Sequence, residues 1–203
     1  MFSSNTFTSQ QNEQALSNVP LAVLDMDIFN VSEQSVISAI KCIKSSFSPG
    51  PGVIPAALMK QYSDFLAAPL TWRFNASLHQ QCFPVAWKKS CMFPVFKKGD
   101  KCNVVNYRGI TSLRAESKVF ETIINNTFFA ACRNYICKEQ HGFFRGRTVE
   151  TNLIKFVSLC IKNIGSKAQV DTVYTDLKAA FDSVNHTILL SKLEKLGCTA
   201  PFF

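Results

Sequence analysis

Asp176 is the residue of this chain whose position best suits metal-dependent chemistry. It follows residues 170–175, where β-branched and aromatic side chains alternate with others and predict a half-buried β-strand. A carboxylate at the end of a rigid strand, beside a groove that phosphates can enter, suits a hard divalent cation. The spacing therefore indicates a metal ligand, with a surface Asp that closes a strand as the alternative.

The chain after Asp176 has the pattern of a turn followed by a helix. Asn185 is a typical N-cap residue, and Gly197 is typical of the position that ends a helix. Leucines recur between them at helical spacing. The pattern predicts that a strand and a helix together fix the position of the carboxylate.

Positive charge is concentrated between Lys88 and Lys118. The 203 residues have a formal net charge of +8, and this segment holds eight basic residues against two acidic ones. A basic patch of this density is typical of a surface that binds polyphosphate. The alternative is a solvated face that only keeps the protein soluble.

Residues 89–110 have the pattern of a β-hairpin within this basic segment. One strand is predicted at 90–96, a polar and basic tip at 98–101, and a return strand at 104–110. A helix at 116–135 is expected to pack behind the hairpin.

Helical patterns also precede the hairpin. Ser32 is expected to cap one helix, and residues 56–81 are expected to form two helical pieces that join near Pro69. The predicted core consists of Ile37, Ile40, Leu58, Phe65, Leu70, Phe74, Leu78, Phe120, Ile124 and Phe128.

Four sequence blocks occur in a fixed order along the chain. They are residues 83–100, the run Asn106-Tyr-Arg108-Gly with its continuation to 121, the run Gln140-His-Gly-Phe-Phe-Arg-Gly-Arg147-Thr, and the run Asp176-Leu-Lys-Ala-Ala-Phe181. In this order the blocks resemble the fingers and the first palm motif, the A motif, of reverse transcriptases from non-LTR retrotransposons, in particular the jockey-like elements of insects. The resemblance runs from about Val31 to the last residue.

The resemblance implies an α/β (α+β) fold, made of the fingers and part of the palm of a right-hand polymerase. Residues 1–30 are expected to be a flexible lead-in, 31–165 the fingers region, and 166–203 the start of the palm with the A motif. The chain contains no Asp-Asp pair, so it is expected to be truncated before the Ala-Asp-Asp motif with which the family completes its metal site.

The resemblance also assigns roles near the A motif. Asp176 would be the catalytic residue and would bind Mg²⁺, with the backbone carbonyl of Leu177 as a second ligand. Phe181 would lie beneath the sugar of the nucleotide, where a ring leaves no space for a ribose 2′-hydroxyl. A core phenylalanine is the alternative for Phe181.

On the hairpin, the resemblance implies that Arg108 contacts the triphosphate of the incoming nucleotide. A guanidinium gives bidentate phosphate recognition, and Lys97, Lys98 or Lys101 would assist as point charges. The partners implied are an RNA template, a DNA primer and deoxynucleoside triphosphates.

The reaction implied for the intact enzyme is RNA-directed nucleotidyl transfer with two Mg²⁺ ions. One carboxylate does not hold two ions, so this chain alone is expected to be inactive. One alternative is a non-catalytic remnant that binds RNA or DNA. The other is an unrelated basic phosphotransferase, which would need a glycine-rich phosphate loop that Gly50 and Gly52 do not form.

Eight cysteines are scattered without a Cys-x-x-Cys pair, and the N-terminus is polar. These features favour reduced thiols and an intracellular location, in the cytoplasm or nucleus. The spacing of Cys132, Cys137 and His141 fits no usual zinc pattern. No apolar run approaches the length of a membrane span, and the oligomeric state is left open.

Overall fold

The computed structural model describes residues 30–47, 51–52, 54–176 and 183–198. In chain order these ranges contain α1 (Glu33–Cys42), α2 (Ala56–Gln61), α3 (Ser63–His79), α4 (Val85–Lys88), β1 (Cys91–Phe96), a 3-10 helix (Val104–Asn106), β2 (Tyr107–Ser112), α5 (Ala115–Cys132), α6 (Val149–Gly165) and α7 (His186–Lys195). The mixture of helices with a small sheet agrees with the predicted α/β (α+β) class. The finer division into fingers and palm stays a prediction.

The described residues form two compact units. The larger unit contains the described residues up to 131 together with 193–198, and the smaller unit contains 132–176 and 183–192. None of the helices in the described ranges is long and apolar enough to cross a membrane.

Helix α1 begins as the sequence predicts. The Ser32 hydroxyl accepts a hydrogen bond from the Ser35 N–H at 3.2 Å, which satisfies one of the unpaired donors of the first turn. Val31 and Val36 on either side of this cap are both buried. The side chain of Asn75 in α3 bonds both the N–H and the carbonyl of Val31, at 2.7 and 3.0 Å, so the start of α1 is tied to α3.

The break in the second helical region falls at Tyr62, so the predicted junction near Pro69 is wrong. Tyr62 separates α2 from α3, whereas Pro69 lies inside α3. Pro69 removes one backbone donor, but Ala67, Leu70 and Phe74 of the same helix are buried. Packing on both sides of the proline holds the helix together, because tertiary contacts supply most of a helix's stability.

Four aromatic rings form the centre of the larger unit's core. Phe74 lies 5.5 Å from Trp87 and 5.0 Å from Phe120 between ring centroids, and Trp87 lies 5.5 Å from Phe120. Phe83 approaches Trp87 at 5.7 Å in an edge-on arrangement. These separations suit aromatic pairs, which add to the free energy of simple area burial.

The predicted core is confirmed in part. Five of its members are buried: Ile40, Leu70, Phe74, Leu78 and Phe120. The prediction that Leu58 and Phe65 are buried was wrong, since these side chains are 39% and 82% exposed. Buried positions recur at helical spacing from Ala56 through Met59, Ser63 and Ala67 to Leu70, and Leu58 and Phe65 lie outside this stripe. Met59, Trp87 and Val119 are buried members that the prediction missed.

The predicted hairpin is confirmed, with β1 and β2 paired antiparallel. The return strand begins at Tyr107 rather than at Val104, because Val104–Asn106 form the 3-10 helix. The Asn103 side chain caps that helix by accepting the Val105 N–H at 3.0 Å. The helix that follows the hairpin runs over Ala115–Cys132 and is slightly shorter than predicted.

The ends of α7 match the sequence prediction. The Asn185 side chain accepts the Ile188 N–H at 3.1 Å, as an N-cap residue should. Gly197 has a φ of 88°, the left-handed conformation that glycine adopts readily after a helix.

The strand predicted at 170–175 is absent from the structure. Residues 168–176 have irregular backbone, and 171–176 are all exposed. A strand is stabilised by hydrogen bonds to a neighbouring strand, and no strand of the described residues pairs with this segment. The alternating side chains favour an extended chain here, but the pairing partner that would make it a strand is missing from the described residues.

Candidate functional site

The candidate site lies on the hairpin formed by β1 and β2. Val95 is paired with Arg108, and the Lys97 N–H donates to the Asn106 carbonyl at 2.8 Å, so the pairing continues one step beyond the strands. Because side chains alternate between the two faces of a strand pair, Lys97 and Arg108 lie on the same face as Val95. The hairpin thus brings together two of the cations that the sequence singled out.

The turn that joins the strands is held by bonds to Asp100. The Asp100 carbonyl accepts a hydrogen bond from the Asn106 side chain at 2.8 Å, and its carboxylate accepts the Cys102 N–H at 2.9 Å. Gly99 has a φ of 95°, and a Cβ at this position would lie 2.8 Å from the Asn106 amide nitrogen. The basic tip therefore has a defined shape that depends on a glycine.

Aromatic side chains fix the position of Lys101 at the tip of the hairpin. The rings of Phe96 and Tyr107 meet edge to face at 5.5 Å, and the Lys101 ammonium lies 5.8 Å from the centre of the Phe96 ring. The Tyr107 hydroxyl donates to the Lys101 carbonyl at 2.9 Å. Lys101 is thus held beside the strand pair by a cation–π contact and a backbone bond.

All four cations of the hairpin are exposed to solvent: Lys97, Lys98, Lys101 and Arg108. Within the part of the chain that the structure describes, none of them forms an ion pair with a carboxylate. An unpaired guanidinium and three ammonium groups on one small element form a strong positive field, which attracts phosphate groups.

The cations that flank the hairpin are not equivalent. Lys88, Lys89 and Lys118 are exposed and can add to the basic surface. Arg114 instead lies 3.9 Å from the Glu116 carboxylate and donates to the Ala86 carbonyl at 3.4 Å, so it connects α4 to the start of α5. Arg114 is therefore a structural member of the basic segment, which its position in the sequence did not indicate.

Asp176 lies in the smaller unit, on the irregular and exposed segment that ends the described range 54–176. Leu177 and Phe181, the other two residues assigned near the A motif, lie outside the described residues. The roles assigned to these three residues stay predictions.

The described residues do not by themselves form the predicted Mg²⁺ site. Over the described ranges there is no group of three or more His, Cys, Asp or Glu side chains that could hold a metal ion. A magnesium ion prefers six oxygen ligands in near-octahedral geometry, supplied by carboxylates, waters and substrate phosphates. Asp176 alone offers one carboxylate to such a set.

A cavity of about 570 Å³ in the larger unit was not predicted from the sequence. Its walls come from the end of α3, the residues that follow, and α5, and they include the rings of Phe83, Phe120 and Phe128. Lys88 is also part of the lining, so the cavity borders the basic segment. Its existence depends on how α3 and α5 pack, which local sequence patterns do not specify.

Three curated proteins of Drosophila melanogaster are similar to nearly the whole chain. A probable RNA-directed DNA polymerase from transposon BS is 26% identical over 200 residues, which are 97% of this chain and 22% of that protein. A putative 115 kDa protein in the type-1 retrotransposable element R1DM is 30% identical over 193 residues, 91% of this chain and 18% of that protein. A probable RNA-directed DNA polymerase from transposon X-element is 29% identical over 199 residues, 97% of this chain and 21% of that protein. No protein-family model matches the chain.

These similarities confirm the resemblance to reverse transcriptases of non-LTR retrotransposons, whereas the jockey-like assignment stays a prediction. The chain is related in sequence to the reverse transcriptases of non-LTR retrotransposons. It spans about a fifth of the length of the curated relatives that it matches.

Proposed function

We propose that this chain is part of the RNA-directed DNA polymerase of a non-LTR retrotransposon, and that its hairpin binds phosphate groups of nucleic acid or nucleotide. The observation that carries the proposal is the set of four exposed cations, without carboxylate partners in the described residues, on one hairpin. The sequence relation to proteins named as probable RNA-directed DNA polymerases supports the polymerase assignment. An RNA template, a DNA primer and deoxynucleoside triphosphates are the partners proposed.

The cations of the hairpin suit different parts of this task. Arg108 lies near the start of β2, and its planar guanidinium can bind two phosphate oxygens at once. Lys97 shares its face and can add a point charge to the same phosphate chain. Lys98 and Lys101 lie at the turn, where they can contact the backbone of a longer polyanion.

We propose Asp176 as one Mg²⁺ ligand of the intact polymerase, with the Leu177 carbonyl beside it. Mg²⁺ in that enzyme would neutralise charge on the phosphates during nucleotidyl transfer. Phe181 is proposed to select deoxyribonucleotides by its bulk. Support for these roles comes from the A motif and from the sequence relation.

The isolated chain is proposed to bind nucleic acid without extending a primer. Its 203 residues contain no Asp-Asp pair, and the described residues contain no cluster of metal ligands. A non-catalytic module that binds RNA or DNA is therefore the second candidate function, because the basic hairpin is sufficient for it.

Binding of a labelled primer on an RNA template to the full chain, followed by fluorescence anisotropy, tests the hairpin's role. Reversal of three lysines to glutamate, Lys97→Glu, Lys98→Glu and Lys101→Glu, should weaken binding at least about tenfold, because phosphate contacts dominate such affinities. The matched control carries Lys41→Glu, Lys44→Glu and Lys60→Glu, which change net charge equally but lie outside the hairpin. Equal losses in both variants would mean that only net charge matters, and would refute the assignment to the hairpin.

Primer extension on the same duplex with Mg²⁺ and deoxynucleotides tests the proposed inactivity. The full chain should give no extension above background. Extension that disappears in Asp176→Asn would contradict this expectation and would show that the chain completes its metal site with residues other than an Asp-Asp pair.

A further inference from the structure

Phe143 in the smaller unit is exposed and strained at the same time. Its side chain is 99% exposed, and its φ of 60° lies in the left-handed region. This conformation costs a residue with a Cβ about 1–2 kcal/mol, and a bulky residue rarely adopts it. Among the described residues, the others with a positive φ are glycines, Gln81 and Lys167. Strain that no packing of the side chain compensates points to a functional constraint.

The loop that presents Phe143, residues 137–148, is held by Arg147. The Arg147 guanidinium donates to the Gln140 carbonyl at 2.6 Å and to the Cys137 carbonyl at 3.3 Å. The same guanidinium lies 3.8 Å from the centre of the Phe144 ring. The contacts of Arg147 therefore hold the loop together, and the Phe143 side chain takes no part in them.

The 137–148 loop is also fixed to helix α6. A ring nitrogen of His141, which is buried, lies 2.8 Å from the Thr151 hydroxyl oxygen. Thr151 and Thr148 form the reciprocal capping box that starts α6. The exposed ring of Phe143 is thus carried by a pre-organised loop, and a pre-organised ring loses little conformational entropy when it binds a partner.

The chain segment that carries this ring is rich in positive charge. Residues 132–167 hold seven basic side chains and two acidic ones. The acidic residues are Glu139, which accepts a hydrogen bond from the Cys137 thiol, and Glu150, which is bonded to the Thr148 side chain. These bonds are the largest cause of the lowered pKa of each carboxyl, so both are ionised near neutral pH. The segment nevertheless stays positive, because seven basic side chains outnumber these two carboxylates.

We propose that Phe143 is a stacking platform for a base of single-stranded RNA or DNA, with the exposed Lys138 close in the chain as a phosphate contact. An aromatic ring exposed on a basic surface is the arrangement that binds single strands with little sequence preference. A duplex is a poor partner because its bases are already stacked. This site lies in a different unit from the hairpin, and it rests on the proposed function only in that both make the chain a nucleic-acid-binding protein.

The test compares two probes with the full 203-residue chain: a fluorescein-labelled 15-mer of thymidylate and an abasic strand with the same number of phosphates. Phe143→Leu should weaken binding of the thymidylate strand about tenfold, since one base–aromatic stack is worth about 5- to 150-fold in affinity. It should leave binding of the abasic strand unchanged. The matched control, Phe65→Leu, removes a ring that is 82% exposed in the larger unit and should alter neither.

The hairpin variant distinguishes this site from the proposed function. Reversal of Lys97, Lys98 and Lys101 to Glu should weaken binding of both probes, because both carry phosphates. If that variant binds normally while Phe143→Leu loses the thymidylate strand, the hairpin assignment fails and the stacking site stands. If Phe143→Leu binds both probes like the unmodified chain, or loses both equally, the stacking site is refuted.

Phe143→Gly separates a binding role from a structural one. Glycine relieves the strain at this φ. The thermal midpoint of the Phe143→Gly variant should therefore rise, while its affinity for the thymidylate strand should fall. A lower thermal midpoint would show that the ring supports the fold and would refute the proposal.

Sedimentation of Phe143→Leu tests a second copy of the chain as the occupant. A dimer that this change dissociates, with unchanged affinity for thymidylate, would also refute it.

Discussion

Arg108 has a geometry that lysine cannot reproduce. Its planar guanidinium presents several N–H donors in a fixed fork, whereas a lysine presents one compact charge. Arg108→Lys therefore keeps the charge of the hairpin but removes bidentate binding. We expect it to weaken deoxynucleoside triphosphate binding at least about tenfold, the value of about one charge-assisted hydrogen bond. Isothermal titration of the nucleotide measures the change.

The control for this prediction is Arg133→Lys, an exposed position in the smaller unit. It should leave nucleotide affinity unchanged. If Arg108→Lys also binds like the unmodified chain, Arg108 acts only through its charge.

The two tryptophans of the chain provide a second prediction at this scale. Trp87 is 4% exposed and packs against Phe74 and Phe120, whereas Trp72 is 73% exposed on α3. Trp87→Ala should lower the free energy of unfolding by about 3–5 kcal/mol. Trp72→Ala should change it by no more than about 0.5 kcal/mol. Urea unfolding followed by far-ultraviolet circular dichroism measures both.

A milder substitution at Trp87 keeps the prediction testable if Trp87→Ala does not fold. Trp87→Phe keeps an aromatic ring and should cost less than Trp87→Ala. Similar unfolding free energies for the two alanine variants would show that the aromatic cluster is not the centre of the core.

At the scale of elements, the hairpin turn depends on Gly99. Gly99→Ala places a Cβ in the left-handed conformation and against the Asn106 side chain, which holds the tip. We expect a loss of about 1–2 kcal/mol in local stability, seen as faster amide exchange over residues 97–107. Gly165→Ala is the control, because no atom lies within 4 Å of a Cβ there and alanine favours a helix. Unchanged exchange in Gly99→Ala would mean that the turn has another conformation.

The elements predicted correctly are those whose signals are local. Ser32 and Asn185 cap their helices with their own side chains, so their residue types predict where the helices begin. Pro69 misled the prediction because packing against the core overrides a single missing hydrogen bond. Trp87 was missed because it lies in the four-residue helix α4, which is too short to show a periodic pattern.

The candidate site could be predicted from sequence in part for the same reason. Lys97, Lys98, Lys101 and Arg108 lie on one element because a hairpin joins nearby residues. The structural role of Arg114 could not be predicted from the sequence, since it depends on contacts with α4 and Glu116. The prediction of a strand before Asp176 was wrong, because a strand needs a pairing partner and alternating side chains do not show whether one is present.

At the scale of the whole molecule, the two units should differ in stability. In α5, Val119, Phe120 and Ile123 are buried, whereas residues 171–176 are exposed without regular structure. Amides of α5 should exchange at least about a hundredfold more slowly than those of 171–176, because exchange from packed helices requires larger unfolding. Hydrogen exchange by mass spectrometry measures this. Uniform protection in a demonstrated monomer would mean that this segment is packed in solution.

The salt dependence of nucleic-acid binding tests the central claim most directly. For a single-stranded RNA, the logarithm of the affinity should fall linearly with the logarithm of salt concentration, with a slope of about −0.7 for each phosphate contacted. Removal of three contacts by reversal of Lys97, Lys98 and Lys101 should flatten that slope by about 2. The control reversal of Lys41, Lys44 and Lys60 should retain the slope of the unmodified chain. An unchanged slope in the hairpin variant would show that these cations make no phosphate contacts, and would contradict the account.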